Sequence, residues 1–154
     1  MRIITKLQAV GDDCELALTF RRPLFGSPRW RISMSDVEEL VQSFIGVWNE
    51  TDPQRRREIV RSLWRTDGRH LMGAHDVEGH EALEQRVAAS NQRSVVDKNY
   101  VFRPATDIQT LPGVVKFRWD MARRDTGEVA AAGVGFLTLD QERRIRCDYL
   151  FTES

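Results

Sequence analysis

The chain has 154 residues, a length that suits a single domain with one continuous core. Lys and Arg total 23 and Asp and Glu total 23, so no net field draws the chain to nucleic acid or to an anionic membrane surface, and neither partner is expected. Cys14 and Cys147 lie far apart without CxxC spacing, which argues against a zinc site or a disulfide scaffold and fits a reducing cytoplasm; no apolar run reaches the roughly 20 residues of a membrane span.

Residues 1–33 read as an arm distinct from the rest of the chain. Ile3, Ile4 and Leu7, then Leu16, Leu18 and Phe20, admit a short hairpin about Gly11-Asp12-Asp13, but Arg21-Arg22-Pro23 and Gly26-Ser27-Pro28 break its continuation. A weak hairpin and a disordered arm both stay open, and Trp30 has no assigned role. Met34 is a second candidate initiator, because Ser35 with Glu38 three residues on reads as a capping box.

The domain proper spans residues 34–154. Val37, Leu40, Val41, Phe44, Ile45 and Trp48 follow the spacing of a helix with one buried stripe. Asp52-Pro53 supplies an N-cap and first helical position, and Ile59, Val60, Leu63 and Trp64 mark a second helix ending at Thr66-Asp67-Gly68. Arg55, Arg56 and Arg57 fall on its solvated face. Arg69 to Met72 form a short extended piece, and Ala82, Leu83 and Val87 mark a third helix ending near Asn91.

After Val96 the period changes. Tyr100 to Ile108, Val114 to Arg124, Val129 to Leu139 and Ile145 to Phe151 are β-branched and aromatic runs separated by turn sequences. Such consecutive hairpins predict an antiparallel sheet, so the fold class is α+β with the helices on one sheet face. Val115, Phe117, Trp119 and Met121 share the face toward the helices; Lys116, Arg118 and Asp120 share the other.

Several segments carry a family resemblance: Trp48 to Asp52, Leu63 to Asp67, Glu78 to Leu83, Phe117-Arg118-Trp119, Gly133 to Phe136, and Arg144-Ile145 leading to Tyr149-Leu150-Phe151. In this order and spacing, over about 120 residues from Ser35 onward, the chain resembles the nuclear transport factor 2-like superfamily, in its polyketide-cyclase-like (SnoaL-like) and ketosteroid-isomerase-like branches. The resemblance implies a cone-shaped, cystatin-like roll, a deep pocket between helices and curved sheet, and a homodimer through the outer sheet face. It also implies where the isomerase branch keeps its tyrosine and two carboxyls, and those positions hold Phe44, Met72 and Gly135 here. None of the three can move a proton, which disfavours ketosteroid-type isomerisation.

His70, two residues before Met72 on the same strand face, is the candidate acid–base residue, with Asp120 and Tyr149 as its nearest candidate partners; the alternative is that it only hydrogen-bonds its neighbours at the pocket rim. Asp120 has the parity opposite to Trp119 and reaches the cavity only through a bulge. Phe44, Trp48, Trp64, Met72, Phe117 and Trp119 are the expected pocket lining, suited to a hydrophobic small molecule, although core packing accounts for them equally. His70, His75 and His80 lack the helical zinc spacing, so neither metal nor cofactor is expected. The sequence therefore leaves two main functions standing, beside an adaptor role in which the N-terminal arm inserts into a partner. One is a cofactor-independent cyclase, isomerase or dehydratase acting on a hydrophobic carbonyl compound; the other is a noncatalytic ligand-binding or dimerisation module.

Overall fold

The computed structural model describes residues 32–104 and 107–153; the N-terminal hairpin reading and Trp30 lie outside the described residues. Three α-helices come first: α1 (Met34–Asn49), α2 (Pro53–Leu63) and α3 (His80–Ser90), the last continued by a π-helical turn over Asn91–Val96. The strands are β1 (Trp64–Met72), β2 (His75–Glu78), β3 (Tyr100–Pro104), β4 (Gln109–Leu111), β5 (Val114–Arg123), β6 (Val129–Leu139) and β7 (Ile145–Glu153). The fold is α+β, and the sheet runs in the order β2-β1-β7-β6-β5-β3, with β4 pairing the start of β5.

Local chemistry sets the helix ends. Ser33, rather than Ser35, caps α1: its hydroxyl accepts from the Asp36 amide at 3.2 Å, and Ser35 falls inside the first turn. Asp52 caps α2 as expected, accepting from the Arg55 amide at 2.8 Å ahead of Pro53. That helix stops at Leu63. Trp64 to Gly68, expected to close it, instead opens β1: Trp64 pairs with Ile145 of β7, and after an irregular stretch the ladder resumes at Arg69.

That pairing is parallel, with Trp64 opposite Ile145 and His70 opposite Asp148, and it departs from the all-antiparallel expectation. A chain that enters the sheet directly after α2 runs alongside the last strand, a long-range contact that consecutive hairpin signals cannot reveal. The expected Tyr100–Ile108 strand is likewise shorter, ending at Pro104, with β4 pairing β5 separately. Pro104 has no amide hydrogen to continue a ladder.

The sheet face toward the helices buries Val115, Phe117 and Trp119, which pack with Val37, Val41, Phe44, Val60, Leu83 and Val87 from the three helices. The Phe44 ring lies 5.4 Å from Trp64 and 5.5 Å from Phe117. Gly135 lies opposite Phe117 and Gly133 opposite Trp119 across β5 and β6. A Cβ at Gly135 would enter the Phe117 ring, and one at Gly133 would run into the Phe151 carbonyl oxygen and lie 2.7 Å from the Trp119 indole. Missing side chains on β6 thus let two large rings lie flat across the sheet. Asn49 clamps the end of α1 to the sheet edge, its amide donating to the Phe102 carbonyl at 2.7 Å and its carbonyl accepting from the Phe102 amide at 2.8 Å. Among the described residues no helix is long and apolar enough to cross a membrane.

Candidate functional site

Between α1, α3, the π-helical turn and the concave sheet lies a cavity of about 240 Å³. Ile45, Trp48, Met72, Phe102, Trp119 and Leu150 supply its apolar wall. Its polar lining comes from Arg86 and Ser90 on α3, from Arg93, Ser94 and Lys98 beyond it, and from Tyr100 and Thr152 on the sheet, with no carboxylate among the lining residues. An apolar cavity of about 150 Å³ already holds benzene, so this one accommodates a larger ring system.

Arg86 is the unusual member. Helical spacing puts it on the stripe of Leu83, Val87 and Ser90, which turns it inward, and it is only 9% exposed. Among the described residues no carboxylate pairs with it. Its guanidinium lies 5.5 Å from the centroid of the Trp48 ring, its Nη2 reaches only the Met72 sulfur at 4.0 Å, and its Nε–H has no acceptor. Burial pulls its proton affinity below the ordinary range, Arg93 pushes the same way, and Asp148 pulls back. An arginine keeps its charge under such shifts, so the cavity holds a fixed cation.

His70 and Asp148 are both fully buried side by side on β1 and β7. His70 Nδ1 lies 2.6 Å from Asp148 Oδ1, and the Trp64 indole N–H donates to Asp148 Oδ2 at 2.9 Å. An indole can only donate, so Oδ2 is an acceptor, and a carboxylate receiving Nδ1–H on its other oxygen completes the set. This arrangement leaves Nε2 of the neutral imidazole as a lone pair, and Nε2 has no partner among the described residues. His70 does not itself line the cavity. Trp48, whose ring lies 5.1 Å from the imidazole, and Met72, two residues along β1, form the wall in front of it.

The other candidates fall elsewhere. Asp120 lies on the outer sheet face, held by Arg103 through hydrogen bonds of 2.7 and 3.2 Å, as its parity in an unbulged stretch of β5 requires. Tyr149 is 37% exposed on the outer face beside Cys147, because the alternation of β7 turns its neighbours Asp148 and Leu150 inward. Neither meets His70. Trp48, Met72 and Trp119 line the cavity, whereas Phe44, Trp64 and Phe117 lie beneath it in the core. His80 bonds the Trp64 carbonyl at 2.9 Å and His75 is exposed, so the three histidines do not converge. Among the described residues no group of three or more His, Cys, Asp or Glu is placed to hold a metal ion.

Two residues of this site, Asp148 and Arg86, are not evident from sequence patterns read in isolation. For Arg86 a signal exists, since it lies three residues after Leu83 and four before Ser90 on the buried stripe. For Asp148 there is none. The apolar alternation Cys147, Tyr149, Phe151 points the wrong way, and only the parallel pairing with β1 puts Asp148 against His70.

No protein-family model and no curated protein sequence matches the chain. Solved structures do. A candidate isomerase of the SnoaL-like family from Agrobacterium tumefaciens is similar at a TM-score of 0.72 and 25% identity, over 79% of this chain and 100% of the other. A candidate SnoaL-like polyketide cyclase from Jannaschia sp. CCS1 gives 0.60 and 16% identity, over 83% and 92% of the two chains. A nuclear transport factor 2-like protein of unknown function from Exiguobacterium sp. gives 0.59 and 14%, over 75% and 98%. With the element order and the curved sheet on which they agree, these likenesses show that the chain has the fold of nuclear transport factor 2-like proteins and is similar in structure to SnoaL-like proteins.

Proposed function

We propose that the protein is a cofactor-independent acid–base enzyme of the isomerase, cyclase or dehydratase kind, acting on a small hydrophobic carbonyl compound held in the cavity. The observation that carries this reading is the buried His70–Asp148 pair, with Trp64 on the second carboxylate oxygen and Nε2 left without a partner. An imidazole whose Nδ1–H is fixed by a carboxylate is oriented to accept a proton at Nε2, and the carboxylate stabilises the imidazolium that forms. In the proposed step Nε2 takes a proton from the carbon next to the substrate carbonyl. The electron pair moves onto the carbonyl oxygen as an enolate, stabilised by the positive charge of the cavity lining, and the proton returns at another position. A swing of the Trp48 indole, which packs on the imidazole and lines the cavity, opens Nε2 to the substrate.

One observation favours a second reading. His70 lies behind the cavity wall, as it would if the pair were a buried staple and the cavity a noncatalytic binding site. Proton exchange in heavy water separates the two. With β-tetralone as probe, followed by proton NMR, the enzyme reading expects exchange next to the carbonyl above the buffer rate. His70→Gln should abolish that excess while leaving the circular dichroism unchanged. Exchange at the buffer rate, or exchange indifferent to His70→Gln, contradicts the enzyme reading.

A further inference from the structure

Buried polar groups in proteins are nearly always hydrogen-bonded, so a cluster of unpartnered ones in a single cavity identifies what that cavity lacks. Among the described residues, four buried side-chain polar atoms have no partner: Trp48 Nε1, His70 Nε2, Arg86 Nε and Trp119 Nε1. Three of them, on Trp48, Arg86 and Trp119, belong to residues that line the cavity, and all three are nitrogens that can only donate. Trp48 and Trp119 are each 4% exposed and Arg86 9%, so bulk water does not serve them freely. The lining supplies few acceptors in return, offering hydroxyls from Ser90, Ser94, Tyr100 and Thr152 but no carboxylate.

Charge points the same way. Arg93 and Lys98 stand exposed in the lining next to the buried Arg86, and Arg86 and Arg93 also line the groove that runs past the β1–β2 turn. A buried cation normally has a charged partner, because desolvation is otherwise uncompensated. Here the nearest structural substitute is the Trp48 π-face and a thioether.

We propose that the ligand of this cavity carries a carboxylate which pairs with Arg86, while its aromatic or alicyclic body lies between Trp48, Phe102 and Trp119. A carboxylate is acceptor-only and matches the guanidinium fork, so it supplies both of the things the lining lacks, negative charge and oxygen lone pairs. The apolar wall sets the rest of the molecule, and the cavity volume of about 240 Å³ limits it to a compact ring system. This assignment rests on the cavity being the ligand site of the proposed function. It concerns binding rather than turnover.

The test compares three probes of one shape by isothermal calorimetry on the full chain: β-naphthoate, the methyl β-naphthyl ketone, and β-naphthylmethylammonium. Naphthoate should bind at least about tenfold more tightly than the ketone, the effect of one charge-assisted pair, and the ammonium compound should not bind. Arg86→Met keeps the apolar stem and should abolish the preference for naphthoate over the ketone, whereas Arg86→Lys should retain part of it; circular dichroism confirms that both variants fold. Ketone binding as tight as naphthoate, no naphthoate binding, or a preference that survives Arg86→Met overturns the assignment. Proton exchange on β-tetralone does not enter these readouts, so the catalytic reading can fail while this one holds, and the reverse.

Discussion

Replacing His70 and Asp148 by leucine, singly and together, measures whether the two form one unit. Both side chains are fully buried, and Asp148 receives one donor from His70 and one from Trp64. His70→Leu leaves a buried carboxylate with a single donor, which should cost about 3–5 kcal/mol. Asp148→Leu strands two buried N–H groups, on His70 and Trp64, at about 1–3 kcal/mol each. The double variant strands only the Trp64 indole and should cost about 1–3 kcal/mol. The single losses therefore sum to roughly 5 kcal/mol or more, and the double recovers at least about 2 kcal/mol of that sum. Urea unfolding followed by tryptophan fluorescence reads all four proteins, with an unchanged slope as the check that only stability moved. Additivity within about 0.5 kcal/mol would refute the reasoning, because two residues that share no partner behave in that way.

Neighbouring features give three further expected outcomes. The Arg86 charge holds the exposed His75 imidazole below its ordinary proton affinity, so Arg86→Met should raise the His75 midpoint in an NMR titration, and saturation with β-naphthoate should raise it in the native chain. Gly135→Ala drives a methyl group into the Phe117 ring and should destabilise the fold by about 1–3 kcal/mol in urea unfolding, the usual cost of overpacking a core. On the outer sheet face Val134 lies opposite Phe151, which is 57% exposed, so Val134→Glu should lower the sedimenting mass if this face joins two copies of the chain.

Much of the architecture is written in periodicity. The stripe Val37, Val41, Phe44, Ile45, Trp48 and the alternation Val115, Phe117, Trp119 are local patterns, and each reports its own buried face. What local patterns cannot report is which strands lie side by side. Trp64 continues the apolar spacing of α2 and so reads as helix, yet it belongs to β1 because β7, some eighty residues away, offers it a parallel edge. The same distance hides the partner of His70. Asp120 is eligible by chemistry and misplaced by parity, whereas Asp148 sits between outward-facing Cys147 and Tyr149, where a carboxylate reads as surface. Arg86 is hidden for a different reason. Arginine on a helix is ordinarily solvated, and only the closing of the cavity over that stripe makes it a buried cation.

The function rests on Nε2 of His70 being a bare nitrogen within reach of a ligand in the cavity. Long-range proton–nitrogen correlation NMR of the imidazole, recorded with and without saturating β-naphthoate, addresses it directly. The expected result is a proton on Nδ1, none on Nε2, and an Nε2 resonance that moves when the probe binds. A proton on Nε2, or an Nε2 resonance unmoved by a bound probe, would contradict it.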